Sequence, residues 1–316
     1  MTKFAVVGAT GRTGARLTRK LLSEGHQVRA LSRGGAALDE LAEIGAEPFL
    51  GSFDTGTGEL DKFFDDVDAA FLMVKSDWNN PTGHYPVVSQ RFVDALSQSP
   101  VKLAVSLSAF GAEVNGKTGH SECFYILEQK LNELNNIDLV HVRAAWFMEN
   151  TAAWTQSVAK YGRMAWFYKP DLKMPWVATN DIADLAAVEL TQPTGEHRVI
   201  REAGSEDLTM DELAAMIGRE IGRPVEYRCI DRSRKDIETE FLKRFGTAER
   251  WLDDNQSADA FNNGVVHFHS DGPPVRPLLP TKMEDFIRDV WKPRYQELVA
   301  SGREEADSFY TWGARD

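Results

Sequence analysis

Three glycines near the amino terminus stand at a spacing that suits a dinucleotide phosphate. Gly8, Gly11 and Gly14 occur in the run GATGRTG, directly between a short apolar stretch and a helical pattern. In such a turn the first glycine allows the tight bend, the second lets the backbone approach a pyrophosphate, and the third lets the helix pack on its strand. Free N–H groups at the helix start then bind the anion. The same loop supplies the predicted cofactor contacts Thr10, Arg12 and Thr13.

The residues at the end of the second predicted strand discriminate between NAD(H) and NADP(H). A site for NAD usually places Asp or Glu there, to accept a hydrogen bond from the ribose 2′-hydroxyl. This chain has Ser32 and Arg33 instead, and the next acid is Asp39. A guanidinium binds a 2′-phosphate in a bidentate manner, whereas a carboxylate repels it. NADP(H) is therefore the predicted cofactor and NAD(H) the alternative, unless Arg33 is a solvated surface residue.

The elements that must position these residues alternate along the chain. Short apolar runs predict strands at Lys3–Val7, Gln27–Leu31, Pro48–Leu50, Ala69–Val74, Leu103–Leu107, Leu139–Arg143 and His197–Arg201. Helical patterns lie between them at Arg12–Glu24, 57–65, 86–97 and 121–135. This alternation predicts an α/β fold with a Rossmann-type, doubly wound parallel sheet.

After residue 150 the alternation becomes irregular. Helices are predicted at 150–160 and 181–190, and Thr209 with Glu212 forms a capping box ahead of a helix at 210–222. A strand is predicted at 225–230, whereas the aromatic segment 164–176 fits neither pattern. We expect residues 1–150, with about 176–205 completing the sheet, to form an NAD(P)-binding domain. The predicted smaller, mainly α-helical substrate lobe comprises 151–175 and 206–316.

Other strand ends supply further candidates, because ligands of open parallel sheets bind beyond the carboxyl ends of the strands. The predicted cofactor contacts there are Met73, Val74, Lys75, Ser106 and Ser108. Ordinary strand-end hydrogen bonding is the alternative for the two serines. The predicted substrate pocket comprises His84, Tyr85, Trp146, Asn150, Trp166 and Trp176. For the tryptophans, packing in the apolar core is the alternative.

Several motifs together resemble the NmrA-like family, a branch of the atypical short-chain dehydrogenase/reductase superfamily. They are GATGRTG, ALSR at the end of the second strand, and VRAAWFMEN after the sixth. The runs DIADLAAVEL and LTMDELAAMIGREIGRPVEY are similar to the family's later helices. The resemblance covers most of residues 1–230 and implies a Rossmann fold with NADP(H) at the glycine turn. It also implies that Trp146, Phe147 and Asn150 flank the nicotinamide and the substrate mouth.

The proton donors of the superfamily are missing from their usual positions. The general pattern is Tyr-x-x-x-Lys, but here Tyr125 is followed by Lys130, so the two side chains do not share a helix face. Reductases of the NmrA branch often carry Lys or His four residues before a helix Glu. If Glu128 is that Glu, the position holds Phe124, which begins an apolar stripe continuing to Leu134. We expect Phe124 to pack in the core beside the cofactor.

The missing donor restricts the chemistry without abolishing it. Reducing a ketone creates an alkoxide that needs a proton donor, whereas an iminium ion or a cationic dye is neutralised by hydride alone. A quinone gives a stabilised phenolate, which can take its proton from water. His120, one helical turn before Phe124, is the candidate replacement donor. The alternative for His120 is a helix cap or a surface group.

Composition narrows the expected partners. The formal net charge of −12 repels phosphate backbones, so nucleic acid is not an expected partner. No apolar run approaches the roughly 18 residues that span a bilayer, so no membrane association is expected. Cys123 and Cys229 lie far apart, without metal-binding spacing. This usage favours a reduced, cytoplasmic protein with no metal site.

Two hypotheses of different classes follow. The first is an NADPH-dependent reductase whose pocket takes a flat, electrophilic small molecule such as a quinone or an iminium ion, with segment 164–176 closing over it. The second is a non-catalytic dinucleotide sensor that reports redox state to a protein partner. A third, less favoured hypothesis is an enzyme that keeps the cofactor for structure and performs non-redox chemistry.

Overall fold

The computed structural model describes residues 2–266, 279–302, 310 and 313–314. Contacts divide the chain into two compact units. The first unit comprises Met1–Asn115, Ser121–Ala144 and Thr179–Ala203, and the second comprises Gly116–His120, Ala145–Ala178 and Gly204–Asp316. The middle segment of the first unit thus ends at Ala144, a few residues before the predicted boundary at residue 150.

A seven-stranded parallel sheet forms the centre of the first unit. Its strands are β1 (Lys3–Val7), β2 (Gln27–Ser32), β3 (Glu47–Leu50), β4 (Ala69–Leu72), β5 (Leu103–Ala109), β6 (Asp138–Ala144) and β10 (Arg198–Ala203). Their spatial order is β3-β2-β1-β4-β5-β6-β10, and every pair is parallel. The predicted fold class is confirmed. The order reverses direction between β1 and β4, which is where open parallel sheets bind their ligands.

Helices connect these strands. They are α1 (Arg12–Ser23), α2 (Ala36–Glu43), α3 (Pro81–Ser97), α4 (His120–Leu131) and α6 (Thr179–Thr191). The helix expected at 57–65 is wrong: that stretch holds a single 3₁₀ turn, Leu60–Lys62. Gly56 and Gly58 have φ of 68° and 90°, a left-handed backbone that starts a loop and not a helix.

The core of the first unit lies between the sheet and the helices. All four residues of β4 are buried, as expected for a parallel strand covered on both faces. On α4 and just beyond it, Leu127, Leu131 and Leu134 are at most 3% exposed. The predicted apolar stripe is therefore a packing surface, and burial of these side chains holds α4 to the sheet.

The second unit mixes short strands with helices. Its elements are β7 (Trp146–Phe147), a 3₁₀ helix (Met148–Trp154), α5 (Thr155–Tyr161), β8 (Arg163–Trp166), β9 (Met174–Val177), β11 (Glu206–Leu208), α7 (Met210–Ile221), β12 (Glu226–Cys229), α8 (Lys235–Phe245), α9 (Ala248–Asn262), α10 (Met283–Phe286), a π-helical turn (Ile287–Trp291) and α11 (Lys292–Ala300). The strands form the small sheets β11-β9-β7 and β12-β8. The predicted helix at 150–160 starts only at Thr155.

The start of α7 confirms the capping box. The Thr209 hydroxyl accepts a hydrogen bond from the Glu212 N–H at 3.1 Å, and the Glu212 carboxylate accepts one from the Thr209 N–H at 2.8 Å. Two N–H groups that would lack a helical partner are satisfied in this way. Gly222, in the left-handed conformation, ends the helix where the sequence predicts.

The aromatic segment 164–176 is structural core of the second unit. Its ends belong to β8 and β9, and Trp166 and Trp176 are only 7% and 0% exposed. Trp166 stacks on Tyr310 with ring centroids 4.9 Å apart. The expectation that this segment closes as a lid is wrong, because both of its ends are hydrogen-bonded into sheets and its rings are buried. No helix among the described residues has the length and apolar character needed to cross a bilayer.

Candidate functional site

The glycine turn sits between β1 and α1, at the point where the strand order reverses. Gly8 has φ of 68°, and its carbonyl accepts a hydrogen bond from the Gly11 N–H at 2.9 Å. A Cβ on Gly14 would lie 2.3 Å from the Gly8 carbonyl oxygen. A Cβ on Gly8 would lie 2.5 Å from the Met73 sulfur, at the end of β4. Glycine is therefore required at Gly14 by the close approach of the Gly8 backbone and at Gly8 by its left-handed conformation.

The start of α1 has the properties of an anion site. Gly11 caps the helix without a side-chain hydrogen bond, and the first turn contains no acid. The first-turn N–H groups thus have neither a helical acceptor nor a side-chain cap, and they carry the positive end of the helix dipole. Thr13 and Gly14 are buried, whereas the Arg12 side chain is exposed.

The end of β2 lies beside this turn. The hydroxyl groups of Thr10 and Ser32 are 3.1 Å apart, and the Ser32 oxygen accepts a hydrogen bond from the Gly34 N–H at 3.3 Å. Arg33 follows and is exposed. Within the described part of the chain, neither Arg33 nor Arg12 belongs to an ion pair. Both guanidinium groups are therefore available to an anion.

The end of β4 is held by a residue that the sequence did not single out. The Asp54 carboxylate accepts a hydrogen bond from the Lys75 N–H at 3.1 Å and lies 3.7 Å from Nε2 of His84. Arg91 donates to the carbonyl oxygens of Phe53 and Asp54 at 2.6 and 2.9 Å. These bonds fix the backbone that follows β4. The available signal was an acid just after the third strand, which is too common to mark a site.

The two substrate-pocket candidates on α3, His84 and Tyr85, contact other groups of the protein. Tyr85 is fully buried, and its hydroxyl is 3.2 Å from that of Ser76. The His84 side chain is 15% exposed and faces Asp54. Their placement in an open substrate pocket is therefore corrected: Tyr85 packs in the core, and the ring of His84 is directed at a structural carboxylate.

The hydroxyl groups at the end of β5 are also occupied within the protein. Ser106 and Ser108 are at most 1% exposed. The Ser106 hydroxyl is 2.6 Å from Nδ1 of His141, and the Ser108 hydroxyl donates to the Glu128 carboxylate at 2.6 Å. The structure thus supports the alternative of ordinary hydrogen bonding for both serines and corrects their assignment as cofactor contacts through the side chain.

Phe124 occupies the position of the expected donor, as the sequence implies. Its ring is half-buried, packs against the core of the first unit and meets Tyr85 edge-on with centroids 5.4 Å apart. A phenyl ring supplies no proton.

His120 is a poor replacement donor. The backbone N–H of His120 donates to the Ser257 hydroxyl at 3.1 Å. Burial, reinforced by the charge of Arg250, lowers the pKa of the His120 side chain to about 4. The imidazole is therefore neutral at neutral pH and holds no readily donated proton. The structure corrects the expectation that His120 is the catalytic acid.

The candidate residues that follow β6 in the sequence differ in their exposure to solvent. Trp146 and Phe147 are half-buried, and Trp146 contacts Tyr168 and Trp176 edge-on at 4.8 and 5.5 Å between centroids. Asn150 is exposed. These three residues keep surface that a ligand can reach, whereas Trp166 and Trp176 do not. Core packing is the interpretation that the structure supports for that buried pair.

Fold and glycine turn together define a protein of the Rossmann dinucleotide-binding type. Comparison with known sequences agrees: the profile of the NmrA-like family matches residues 1–298. The chain belongs to the NmrA-like family.

Named relatives include two reductases. The chain is 29% identical over 226 residues to the (4-alkanoyl-5-oxo-2,5-dihydrofuran-3-yl)methyl phosphate reductase of Streptomyces griseus subsp. griseus, covering 70% of this chain and 75% of the relative. It is 26% identical over 240 residues to the NAD(P)H azoreductase of Xenophilus azovorans, covering 71% and 76%. Among solved structures, the NADPH-dependent quinone oxidoreductase QOR2 of Escherichia coli, complexed with NADPH, superimposes with a TM-score of 0.73 at 20% identity. That match covers 91% of this chain and 99% of the other.

Proposed function

We propose that the protein is an NADP(H)-dependent oxidoreductase that transfers hydride to a flat, electrophilic small molecule such as a quinone or an iminium ion. The observation that carries this proposal is the glycine turn at the reversal of strand order, with uncapped α1 behind it and unpaired Arg33 beside it. The two named reductases among the relatives support the same class of reaction.

The residues present fit NADP(H). The uncapped first turn of α1 would bind the pyrophosphate through N–H groups. Arg33 and Arg12, both exposed, would bind the 2′-phosphate, and no acid at the end of β2 would repel it. NAD(H), which lacks that phosphate, would gain nothing from either arginine. We therefore expect NADP(H) to bind more tightly than NAD(H).

The substrate class follows from what lies at position 124. The bound nicotinamide supplies hydride, and the protein orients the partners and excludes water. Because Phe124 holds no proton and His120 is neutral, the protein favours acceptors that need no enzymatic acid. A cationic acceptor is neutralised by hydride, and a quinone yields an anion that water can protonate.

Titration of the purified protein with NADPH, NADP⁺, NADH and NAD⁺ tests the cofactor assignment, with tryptophan fluorescence as the signal. We expect the 2′-phosphorylated forms to bind at least about tenfold more tightly, a difference near 1.4 kcal/mol. Equal binding of all four would contradict the role given to Arg33.

Oxidation of NADPH in the presence of 1,4-naphthoquinone, an azo dye and a cyclic iminium salt tests the reaction. We expect turnover with at least one of them and none with a simple ketone. Tight, redox-dependent binding without turnover of any acceptor would favour the sensor hypothesis instead, because binding requires no proton donor.

A further inference from the structure

Two sets of hydrogen-bonded polar side chains, each called a rung below, lie between α4 and the strands β5 and β6. In the first rung, Nδ1 of His141 is 2.6 Å from the Ser106 hydroxyl, and Nε2 is 3.2 Å from the Asn132 amide oxygen. Since that oxygen only accepts, Nε2 carries the proton and Nδ1 accepts from Ser106. Burial lowers the pKa of His141 to about 4, which keeps this imidazole neutral.

The second rung is an ion pair. The Glu128 carboxylate accepts hydrogen bonds from Ser108 at 2.6 Å and from Nε and Nη2 of Arg143 at 2.9 and 2.6 Å. The Glu128 side chain is 3% exposed. Although burial lowers the pKa of Arg143, the hydrogen bond and charge of Glu128, together with the charges of Glu113 and Glu202, outweigh that effect and raise the pKa, so the guanidinium is charged.

The rungs match the repeats of both elements. In the β5–β6 register Ser106 lies opposite His141, and Ser108 lies opposite Arg143. Each rung therefore contains one cross-strand pair, and the two pairs are two residues apart along each strand. Glu128 and Asn132 are four residues apart on one helical face, and the Asn132 N–H still donates to the Glu128 carbonyl at 2.9 Å. We name this arrangement the polar ladder.

The ladder runs antiparallel to the helix. From the first rung to the second, the β5 residue advances from Ser106 to Ser108, whereas the residue at the end of α4 goes back by one turn, from Asn132 to Glu128. One further turn back is Phe124, which falls level with the carboxyl end of β5. The Ser121 hydroxyl, donating to the Phe110 carbonyl at 3.0 Å, ties the same turn of α4 to the residue after β5.

Buried polar layers are costly, and an apolar layer would hold the helix equally well. What an apolar layer lacks is a fixed register. A slip of α4 by one turn, about 5.4 Å, would separate the buried Glu128 carboxylate from Ser108 and Arg143 and would remove Asn132 from Nε2 of His141. The ladder therefore sets the depth of α4 along the sheet.

We infer that the polar ladder positions residue 124 at the reacting end of the proposed cofactor site, which makes Glu128 and Arg143 positioning residues for hydride transfer. The inference rests on the proposed function for its catalytic consequence, while the placement of residue 124 can be measured without turnover.

The test compares two substitutions on the same helix. Glu128→Gln removes the negative charge of the ladder and leaves Arg143 without its buried counter-charge, whereas Leu127→Ala removes buried apolar volume and leaves the ladder intact. We expect both substitutions to lower the melting temperature. We expect Glu128→Gln to lower kcat with NADPH and 1,4-naphthoquinone at least about tenfold, since small misplacements are costly in catalysis. Its Kd for NADPH should stay within about twofold of the wild-type value. Leu127→Ala should keep kcat within about twofold.

A second control concerns the Glu113 carboxylate, which binds Nη1 of Arg143 outside the ladder. Glu113 accepts from Nη1 of Arg143 at 3.0 Å, but its side chain is 44% exposed. Glu113→Gln should leave kcat unchanged. If Glu128→Gln does not fold, Ser108→Ala removes one bond from Glu128 and gives the same pattern with a smaller loss of kcat.

Crystal structures of the variants separate this inference from the proposed function. Displacement of the Phe124 ring in Glu128→Gln, but not in Leu127→Ala, supports the ladder even if the wild-type protein oxidises no NADPH, a result that would overturn only the proposed function. An unmoved Phe124, or equal losses of kcat in both variants, would overturn the ladder as a positioning device.

Discussion

At the scale of single residues, Arg33 is the group that we propose to select NADP(H) over NAD(H). It follows Ser32, whose hydroxyl is held by Thr10 and the Gly34 N–H, so its backbone starts from a fixed point. No described carboxylate competes for its guanidinium. A guanidinium without a carboxylate partner can bind a phosphate without first breaking an ion pair, and its planar fork loses less conformational freedom per hydrogen bond than a lysine would.

We expect Arg33→Gln to raise the Kd for NADPH about tenfold or more and to leave the Kd for NADH unchanged. Fluorescence titration of both cofactors measures this directly. Arg19→Gln is the matched control, because Arg19 is also an exposed arginine, lies on α1 and pairs with Glu40 at 3.6 Å. Parallel losses for NADPH and NADH in Arg33→Gln would show that the residue supports the fold and does not read the 2′-phosphate.

At the scale of elements, the glycine turn couples packing to binding. Gly14 brings α1 against β1, and Gly11 leaves the helix start open. The two positions therefore separate stability from affinity. A Cβ on Gly14 meets the backbone oxygen of Gly8 at 2.3 Å, which cannot move without displacing the turn, whereas a Cβ on Gly11 meets it at 3.2 Å.

We expect Gly14→Ala to lower the free energy of unfolding by about 1–3 kcal/mol and to abolish detectable NADPH binding, because the overlap pushes α1 off its strand. Gly11→Ala should weaken NADPH binding with a smaller effect on stability. Urea unfolding and fluorescence titration of both variants distinguish the two. Wild-type stability in Gly14→Ala would contradict the close approach of helix and strand.

The sequence predicted elements better than it predicted their contacts. Apolar runs located the seven strands of the central sheet to within a few residues, since its inner strands are buried on both faces and leave a continuous signal, but they did not locate β7, β8, β9 or β11. The sequence did not predict α2, because Gly34 and Gly35 precede it and are typical of a loop. It predicted a helix at 57–65 that does not form, because the charged residues there resemble the first turn of a helix. The polar ladder was unpredictable, since the β5–β6 register that unites it is a tertiary property.

At the scale of the whole molecule, buried titratable groups make stability depend on pH. Burial holds the pKa of His120 and His141 at about 4, below the ordinary value of 6.5. Arg250 adds to this effect at His120; at His141, Glu128 opposes it while Arg143 and Arg198 add to it. Asp254 behaves in the opposite way, because burial raises its pKa to about 6 against the pull of Arg250.

Between pH 5 and 6 the unfolded chain binds about two more protons than the folded chain at the histidines and about one fewer at Asp254. The net difference is about one proton, so the free energy of unfolding should fall by about 1.4 kcal/mol for each pH unit lost. Urea unfolding at several pH values measures this slope. His141→Gln should bring it near zero, and Asp254→Asn should about double it, because each removes one side of the balance. A slope unchanged by both substitutions would show that these groups titrate alike in the folded and unfolded chain, and that their burial does not govern acid stability.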